Sequence, residues 1–522
     1  MENFDYDLQS VQEARNLARL GKIATDKLAD YTEEQIDRIL QNMVRVAEEN
    51  AVMLAKMAVE ETGFGKVEDK TFKNHMASTI VYNYIKDMKC AGIIHEDPVN
   101  KVMEVADPVG LIMGIVPSTN PTSTAIYKSM IAIKARNAIV FSPHPSALQC
   151  TLKAATLMRD AAVAAGAPEN VIGCLSMPSM GATDELMKCK ETSMIIATGG
   201  PGMVKAAYSA GKPALGVGAG NSPSYIERTA DVHQSVMDIL ASKTFDNGTI
   251  CASEQSVICE ECNRDQVIAE FKKQGGYFMT AEETAKVCNL LFKNGGHSMS
   301  AKFVGRSAQV IATAAGISIP DGTRVLIGEQ QGVGDGYPLS YEKLTTVLAF
   351  YTVRDWHEAC ELSIKLLQNG IGHTMNIHTN DPQIVREFSR KPASRILVNT
   401  GGTQGGTGAS TALAPAFTLG CGTWGGSATS ENVTPMNLVN IKKVVYGLKD
   451  VTTLAQSDPT FRPDFGCCRG SNAAGAQPSP MQFSGSCNCT TGNQGLPAQD
   501  GIDGKQLLEL VNELVNAMKG GN

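Results

Sequence analysis

Apolar residues recur at helical spacing in the first part of the chain and gather into short runs further along. Between residues 10 and 60 the apolar positions follow a period near 3.6 residues, which predicts helices. From about Val109 the runs shorten and alternate with helix-length segments. The predicted buried strands are Leu111–Val116, Ala138–Phe141, Val171–Leu175, Met194–Ala197 and Ala214–Val217. The predicted helices between them are Thr122–Arg136, Ala147–Ala165 and Met180–Cys189. This alternation predicts a parallel sheet covered by helices on both faces.

A second alternating series follows Thr244 and predicts a second α/β domain. Its predicted strands are Ser256–Cys259, Thr323–Ile327, Val347–Val353, Thr374–His378 and Arg395–Asn399. Its predicted helices are Trp356–Gln368 and Pro382–Arg390. A late apolar run, Ile441–Tyr446, predicts an edge strand or an exchanged strand.

The composition changes after about Thr452. Residues 453–502 are rich in Gly, Ser, Pro, Asn and Gln and poor in aliphatic residues, which predicts a flexible linker. Residues 503–519 then form one amphipathic helical pattern. Its apolar stripe is Leu507, Leu510, Val511, Leu514, Val515 and Met518. A solitary helix of this length is marginal in water unless its stripe docks, so we expect it to bind a partner or to fold back on its own body.

Charge and composition exclude several classes of function. The net charge of -7 gives no electrostatic reason to expect nucleic acid as a partner. No apolar run approaches the roughly 18 residues of a membrane helix, and the acidic start lacks the features of a signal peptide. We therefore expect a cytoplasmic protein without a membrane partner, whose 14 cysteines are reduced thiols.

Two loops carry residue types suited to carbonyl chemistry. Cys251 follows Asn247-Gly248 and offers a thiol nucleophile, although any one of many cysteines can be an inert small side chain. Asn120 lies between two prolines at the carboxyl end of a predicted strand, where open α/β sheets bind ligands. Its amide could donate to a developing oxyanion, or it could satisfy a local turn.

Glycine clusters follow two further predicted strands. In the first, Thr198-Gly199-Gly200-Pro201-Gly202, the glycines open a helix and let a pyrophosphate approach backbone N–H groups. Gly216–Asn221 is the second cluster and indicates either a close backbone approach or a flexible turn.

The cysteine spacings do not favour a metal site. Cys259 and Cys262 lack a second pair in the sequence, and the cysteines of the tail lack a nearby histidine. The tail cysteines are Cys467, Cys468, Cys487 and Cys489. We expect these thiols to hold no metal.

Taken in order, these motifs resemble the aldehyde dehydrogenase superfamily, and more closely its CoA-acylating branch, from about residue 10 to about residue 450. The stretch 114–125 around Asn120 is similar to the acylating form of the substrate-side asparagine motif. Phe141–Pro145 resembles the cofactor-side strand end, Thr198–Gly202 the glycine turn and Gly248–Gln255 the nucleophile loop. Tyr341–Leu344 resembles the segment that carries a ribose-binding glutamate.

The resemblance implies a site and a reaction. Cys251 would be the nucleophile, Asn120 the oxyanion donor and His373, in Gly370–Thr374, a catalytic helper or a satisfied loop histidine. The implied nicotinamide cofactor is NAD, with NADP left open, and coenzyme A is the co-substrate. The residues implied to bind the cofactor are Thr198, Gly199, Gly200, Gly202, Pro143, His144, Gly218 and Glu342. Hydrolytic members carry a water-activating glutamate where this chain is expected to have Gly218, so a thiol would take over from water.

The implied architecture is an aldehyde dehydrogenase fold of class α/β, with a Rossmann-like cofactor domain, an α/β catalytic domain and a small oligomerisation segment. The expected divisions are 1–236 for the cofactor and CoA domain (with part of the oligomerisation segment near 100–112), 237–432 for the catalytic domain, 433–452 for the oligomerisation strand, 453–502 for the linker and 503–519 for the terminal helix. A homodimer or homotetramer is expected.

The tail narrows the expected setting. Bifunctional aldehyde–alcohol dehydrogenases continue into an iron alcohol dehydrogenase domain, whereas this chain ends sooner and is expected to be monofunctional. Linker and terminal helix resemble an encapsulation peptide, which implies the lumen of a bacterial microcompartment, shell or cargo partners and a small aldehyde such as propionaldehyde or acetaldehyde. The alternatives are an acyl-phosphate reductase of the same fold and a non-catalytic interaction protein.

Overall fold

The bounds of the strands and helices come from a computed structural model, which describes residues 5–293, 298–458 and 460–461. The strands are β1 (Gly92–Asp97), β2 (Val102–Pro108), β3 (Leu111–Val116), β4 (Ile139–Pro143), β5 (Ile172–Cys174), β6 (Thr192–Thr198), β7 (Ala214–Val217), β8 (Ser222–Ile226), β9 (Glu254–Glu260), β10 (Gly276–Phe278), β11 (Phe292–Lys293), β12 (Ser298–Met299), β13 (Val325–Glu329), β14 (Val347–Val353), β15 (Gly372–His378), β16 (Ala393–Val398) and β17 (Val439–Val445). The helices are α1 (Tyr6–Leu28), α2 (Glu33–Thr62), α3 (Val67–His75), α4 (Val81–Ile85), α5 (Pro121–Lys134), α6 (Leu148–Ala164), α7 (Met180–Lys188), α8 (Pro201–Tyr208), α9 (Val232–Thr244), α10 (Arg264–Lys273), α11 (Ala281–Leu291), α12 (Ala308–Ala315), α13 (Trp356–Leu367), α14 (Pro382–Phe388), α15 (Gly402–Gly406) and α16 (Val451–Ser457). Within the described residues, every strand and helix predicted by bounds is present, with ends that agree within two residues.

The first sheet holds five parallel strands in the order β5-β4-β3-β6-β7. The strand order reverses direction beside β3, so the carboxyl ends of β3 and β6 form a crevice, which is where such sheets bind ligands. Helix α5 follows β3 and is buried along its whole length. Its Lys128 donates hydrogen bonds to the carbonyls of Ile115 and Ile196, and thereby ties the ends of β3 and β6 together.

The second sheet holds seven parallel strands in the order β10-β13-β14-β9-β8-β15-β16. Strand β8 was not predicted, because its sequence, Ser-Pro-Ser-Tyr-Ile, lacks the apolar run by which the other buried strands were recognised. It belongs to this sheet, so the chain changes sheets before the expected division between residues 236 and 237.

The short connection between the two sheets determines where the site lies. The chain leaves β7 and enters β8 after only Gly218–Asn221, so the carboxyl end of the first sheet lies next to the amino end of the second. Loops at these two ends therefore meet. Asn120 follows β3 at one end, whereas Cys251 precedes β9 and His373 begins β15 at the other.

A separate antiparallel sheet is formed by β1, β2 and β17. Strand β17 pairs with β2 along its whole length, from Val439 opposite Pro108 to Val445 opposite Val102. Strands β2 and β17, which belong to the two segments expected to serve in oligomerisation, near 100–112 and 433–452, therefore lie side by side. Several apolar side chains of this part of the chain are exposed, namely Ile93, Val99, Ile441, Val444, Val445 and Tyr446.

The helical region at the amino terminus leads to the site. Helix α2 begins with a capping box between Thr32 and Gln35 and ends at Gly63. Helix α3 then runs through a π turn, Met76–Ile80, into α4. Such turns interrupt a helix locally and often mark functional positions.

Residues from 449 onward form a unit of their own, in which the structure describes helix α16. This helix overlaps the start of the segment predicted as a linker. The rest of that segment, the predicted terminal helix 503–519 and the four tail cysteines lie outside the described residues. Within the described part of the chain, no helix combines the length and apolar character needed to cross a membrane.

Candidate active site

Loops from the facing ends of the two large sheets enclose a cavity of about 660 Å³. Most of the predicted site residues line it: Asn120, Pro143, His144, Thr198, Gly199, Gly200, Gly218, Cys251 and Glu342. Gly202 lies in the first turn of α8 and is not part of the lining. His373 is fully buried and reaches the cavity through its contact with Cys251.

The nucleophile loop is shaped by an unusual backbone. Asp246 and Asn247 have φ angles of 47° and 52°, in the left-handed region that short polar side chains tolerate best. These residues form a tight reversal after α9, and Cys251 follows before β9 begins. The reversal presents the cysteine at the amino end of the second sheet.

Cys251 and His373 form the central contact of the site. The Cys251 Sγ and the His373 Nε2 are 3.1 Å apart, and the His373 Nδ1 lies 2.8 Å from the Thr374 Oγ1. Two glycines allow the chain segments to approach so closely. A Cβ on Gly220 would lie 2.0 Å from the Cys251 carbonyl oxygen, and one on Gly372, whose φ is 81°, would lie 2.0 Å from the Cys421 carbonyl oxygen.

Burial keeps both partners of this contact neutral. It raises the pKa of the Cys251 thiol to about 12, and the nearby Glu342 carboxylate adds to the shift. Burial, together with the positive charge of Arg395, lowers the pKa of His373 well below its usual range. At pH 7 the pair is therefore a thiol beside an uncharged imidazole. In the tautomer that donates the Nδ1 proton to the Thr374 Oγ1, the Nε2 presents a free lone pair to the thiol and can act as its base.

Arg395 donates hydrogen bonds to His373 and to the residues around it. Its guanidinium donates to the carbonyl oxygen of His373 at 3.0 Å, to the Thr374 Oγ1 at 3.3 Å and to the side chain of Asn432 at 3.1 Å. Its side chain is buried, so removing it would leave several carbonyl groups without their donor.

Asn120 precedes α5 but does not cap it with its side chain. The Asn120 Nδ2 instead lies 3.3 Å from the carbonyl oxygen of Thr249 in the nucleophile loop and 3.1 Å from the Thr119 Oγ1. The Asn120 Oδ1 accepts a hydrogen bond of 2.6 Å from the Lys73 Nζ. The amide N–H of Asn120 is therefore directed toward the side of the cavity that holds Cys251, as an oxyanion donor must be.

The cofactor side of the cavity has room for a ligand against the backbone. A Cβ placed on Gly199 or Gly200 would meet no atom within 4 Å, so a phosphate group can approach these backbone atoms. Glu342 is buried, and its Oε1 accepts a hydrogen bond from the Gly220 N–H at 2.9 Å. Burial raises the pKa of Glu342 to about 7. The open glycine cradle fits the diphosphate of a nicotinamide dinucleotide or of coenzyme A.

Sequence reasoning missed three residues of the site, namely Lys70, Lys73 and Asp246. Both lysines pair with Asp246, and all three side chains are almost completely buried. The Asp-Asn-Gly run of the reversal was the available signal for Asp246, because this composition is typical of left-handed turns. Nothing in the sequence of α3 distinguishes its buried lysines from surface lysines.

The predicted resemblance is confirmed by comparison with known proteins. The profile of the aldehyde dehydrogenase family matches residues 5–280. The bifunctional aldehyde-alcohol dehydrogenase AdhE of Escherichia coli K12 is 48% identical over 442 residues, which cover 83% of this chain and 49% of that protein. An acetylating succinate-semialdehyde dehydrogenase of Clostridium kluyveri is 40% identical over 439 residues, which cover 84% of this chain and 96% of that protein. The chain thus spans about half the length of its bifunctional relatives and nearly the full length of the second protein.

Solved structures agree with this assignment. An acetylating aldehyde dehydrogenase from Geobacillus thermoglucosidasius has a TM-score of 0.84 at 53% identity, covering 86% of this chain and 99% of that one. A propionaldehyde dehydrogenase from the fucose utilisation microcompartment of Clostridium phytofermentans has a TM-score of 0.76 at 25% identity, covering 83% and 97%. A propionaldehyde dehydrogenase from Rhodopseudomonas palustris, with bound CoA and an acylated cysteine, has a TM-score of 0.75 at 26% identity, covering 83% and 97%.

The α/β fold and these similarities define a dehydrogenase, and the chain belongs to the aldehyde dehydrogenase family. Within that family it falls among the acylating aldehyde dehydrogenases.

Proposed function

We propose that the chain is a CoA-acylating aldehyde dehydrogenase, which converts a short-chain aldehyde, coenzyme A and NAD⁺ into acyl-CoA, NADH and a proton. The observation that carries this proposal is the 3.1 Å contact between the Cys251 thiol and a neutral His373 at the edge of a cavity that also holds Asn120. This arrangement suits a thiol that must lose its proton as it attacks a carbonyl.

The first step forms a bond between the Cys251 sulfur and the aldehyde carbon. The thiol proton passes to the His373 Nε2, and the carbonyl oxygen gains the negative charge. The amide N–H of Asn120, and the Cys251 backbone N–H, would stabilise that oxyanion. Because the imidazole is uncharged beforehand, it takes up the proton without first losing one.

A nicotinamide bound in the cavity would accept the aldehyde hydrogen as hydride and leave a thioester on Cys251. The residues that would hold the dinucleotide are Thr198, Gly199 and Gly200, through their backbone, together with Pro143, His144 and Glu342, which line the same cavity. Gly202 lies between Pro201 and Met203, which line the cavity, and would contribute the start of α8. NAD is the proposed form, and a related engineered glycolyl-CoA reductase with bound NADP⁺ keeps NADP open.

Release of the acyl group requires a second nucleophile, and we propose the thiol of coenzyme A. The wall formed by Val217, Gly218 and Ala219 carries no carboxylate. Among the described residues of the lining, Glu342 is the one carboxylate, and one of its oxygens is held by the Gly220 N–H. Thiol–thioester exchange needs less base assistance than hydrolysis, which favours the thiol. The acylated cysteine and CoA in the Rhodopseudomonas palustris enzyme support the same route.

Small neutral aldehydes, propionaldehyde or acetaldehyde, are the proposed substrates. No lysine or arginine lines the cavity among the residues that the structure describes. A carboxylated or sulfonated aldehyde would therefore find no cation to replace its water shell. The relatives whose names specify succinate semialdehyde and sulfoacetaldehyde are 40% and 39% identical.

A substrate screen tests this proposal. We expect NADH formation from propionaldehyde and acetaldehyde only with CoA present, and acyl-CoA rather than free acid as the product. We expect kcat/KM for succinate semialdehyde to be lower by about 10- to 100-fold, the value of a missing charge-assisted hydrogen bond. Free acid as the main product, or equal rates with and without CoA, would contradict the acylating assignment.

An acyl-phosphate reductase of the same fold is the second candidate, since it too dispenses with a water-activating glutamate. The same screen, with inorganic phosphate in place of CoA, separates the two. Activity with phosphate and none with CoA would select the reductase. If no turnover is detected and Cys251 stays unmodified, the remaining alternative is that the chain is a non-catalytic interaction protein.

We also propose a homodimer or homotetramer, assembled through the sheet of β1, β2 and β17 with its exposed apolar side chains. The proposed location is the cytoplasm, in the lumen of a bacterial microcompartment, with segment 503–519 binding shell or cargo proteins. The microcompartment origin of the Clostridium phytofermentans neighbour supports this setting. Cosedimentation of the protein with microcompartment shells, with and without residues 503–519, tests this location.

A further inference from the structure

A buried ionic cluster joins helix α3 to the oxyanion donor. Lys70 and Lys73 lie one helical turn apart and both donate to the Asp246 Oδ2, at 2.8 and 2.5 Å. Their second contacts differ. Lys73 donates to the side chain of Asn120 at 2.6 Å, whereas Lys70 donates to the backbone carbonyl of Thr119 at 2.8 Å.

The contact with Lys73 fixes which way the Asn120 amide faces. An ammonium group can donate but cannot accept, so it holds the Oδ1 and turns the Nδ2 toward the nucleophile loop. Without this contact, the longer hydrogen bond from the Nδ2 to the Thr249 carbonyl oxygen, at 3.3 Å, would have to distinguish this orientation from the one with O and N exchanged. The reversed orientation would direct an oxygen lone pair at the developing oxyanion and repel it.

The cluster also carries an excess of positive charge. Lys70 and Lys73 face one buried carboxylate, that of Asp246. The nearby Asp69 carboxylate is more exposed and is paired with Lys66. Burial lowers the pKa of Lys73 to about 8, so the ammonium stays protonated at pH 7. Donation from this charged group to the Asn120 Oδ1 polarises the amide and makes its N–H a stronger donor to the substrate oxygen.

We propose that Lys73 is a positioning residue, which orients and polarises the Asn120 amide for the oxyanion. The inference rests on the proposed function, since the oxyanion belongs to the reaction of Cys251. Lys70 has the same chemistry and burial, and the same partner in Asp246, but lacks the contact with the amide. It is the matched control.

A double-mutant cycle tests the proposal. We expect Lys73→Met to lower kcat/KM for propionaldehyde by about 10- to 100-fold and Asn120→Ala by about 100- to 1,000-fold, as for other oxyanion donors. If Lys73 acts through Asn120, adding Lys73→Met to Asn120→Ala should cost less than about threefold further. A role in folding alone would lower the rate equally in both backgrounds, and that result would overturn the proposal.

The control cycle replaces Lys70 with methionine. Lys70→Met also leaves Asp246 with one lysine, so both variants should lower the thermal unfolding midpoint to a similar extent. The fold loss in kcat/KM from Lys70→Met should be the same with and without Asn120→Ala. If Lys73→Met does not fold, Lys73→Gln takes its place in the same cycle. Equal coupling of Lys70 and Lys73 to Asn120 would also overturn the proposal.

The measurement separates this inference from the proposed function. Wild-type protein without CoA-dependent NADH formation would refute the proposed function itself. If the wild-type protein is active but Lys73→Met lowers kcat/KM by the same factor with and without Asn120→Ala, only the positioning role of Lys73 is refuted.

Discussion

Replacing Cys251 with alanine is expected to abolish CoA-dependent NADH formation, with a loss of at least about 10⁴-fold in kcat. The reason is that, in the proposed reaction, the oxidised acyl group reaches the CoA thiol through the thioester on Cys251. Among the described residues that line the cavity, Cys251 is the one cysteine. Asn120 and the bound cofactor would remain in place, so binding of nicotinamide dinucleotide should persist while turnover is lost.

The measurement pairs kinetics with mass spectrometry. Wild-type protein incubated with propionaldehyde and NAD⁺, without CoA, should gain one propionyl group on Cys251, and the group should leave on addition of CoA. Cys262→Ala is the control, because this exposed cysteine lies just beyond the end of β9 and away from the cavity. It should keep full activity. An acyl group found on another cysteine, or turnover in Cys251→Ala, would contradict the proposed nucleophile.

The architecture was largely predictable because its strands are apolar and its helices amphipathic. Strands such as β3 and β7 have the predicted bounds, since a run of aliphatic residues between turn residues has few other interpretations. Strand β8 was not predicted because it lacks such a run of aliphatic residues. Its serines are buried among other strands, and a polar buried strand has no distinguishing pattern in a single sequence.

Sequence motifs also indicated most of the named residues that line the cavity, but not their contacts. The motifs around Asn120 and Cys251 indicate the residue types that carbonyl chemistry needs. The contact of Cys251 with His373 joins residues that are 122 positions apart, and it depends on the way β9 and β15 lie beside β8. No local pattern encodes such a neighbourhood.

The buried lysines illustrate a harder case. In the sequence, Lys70 and Lys73 read as the charged face of a surface helix. They are buried because Asp246, more than 170 positions away, offers a charge partner. Burial would raise the pKa of the Asp246 carboxyl, but the ammonium groups of Lys73 and Lys70 lower it below its usual value. The sequence does not show that the lysines and Asp246 are partners, so only the fold reveals that α3 contributes side chains to the site.

The second large effect is expected for His373. The Cys251 thiol has a pKa of about 12, so at pH 7 only about one molecule in 10⁵ would ionise unaided. We propose that the neutral imidazole at 3.1 Å removes this limitation by accepting the proton as the sulfur attacks. We expect His373→Ala to lower kcat/KM at pH 7 by about 10²- to 10⁴-fold, the usual contribution of a general base.

The pH dependence of Cys251 alkylation by iodoacetamide separates this role from a structural one. The pKa of His373 lies well below 6.5, so the wild-type rate should be nearly constant from pH 7 to 9. In His373→Ala, the rate should rise about tenfold per pH unit over the same range, because it follows the ionised fraction of the thiol. His378→Ala is the matched control: His378 is buried on the same strand, with its pKa lowered to about 4, and makes no contact with Cys251. That variant should lose stability but keep the flat profile. A flat profile in His373→Ala as well would show that the thiol loses its proton by another route.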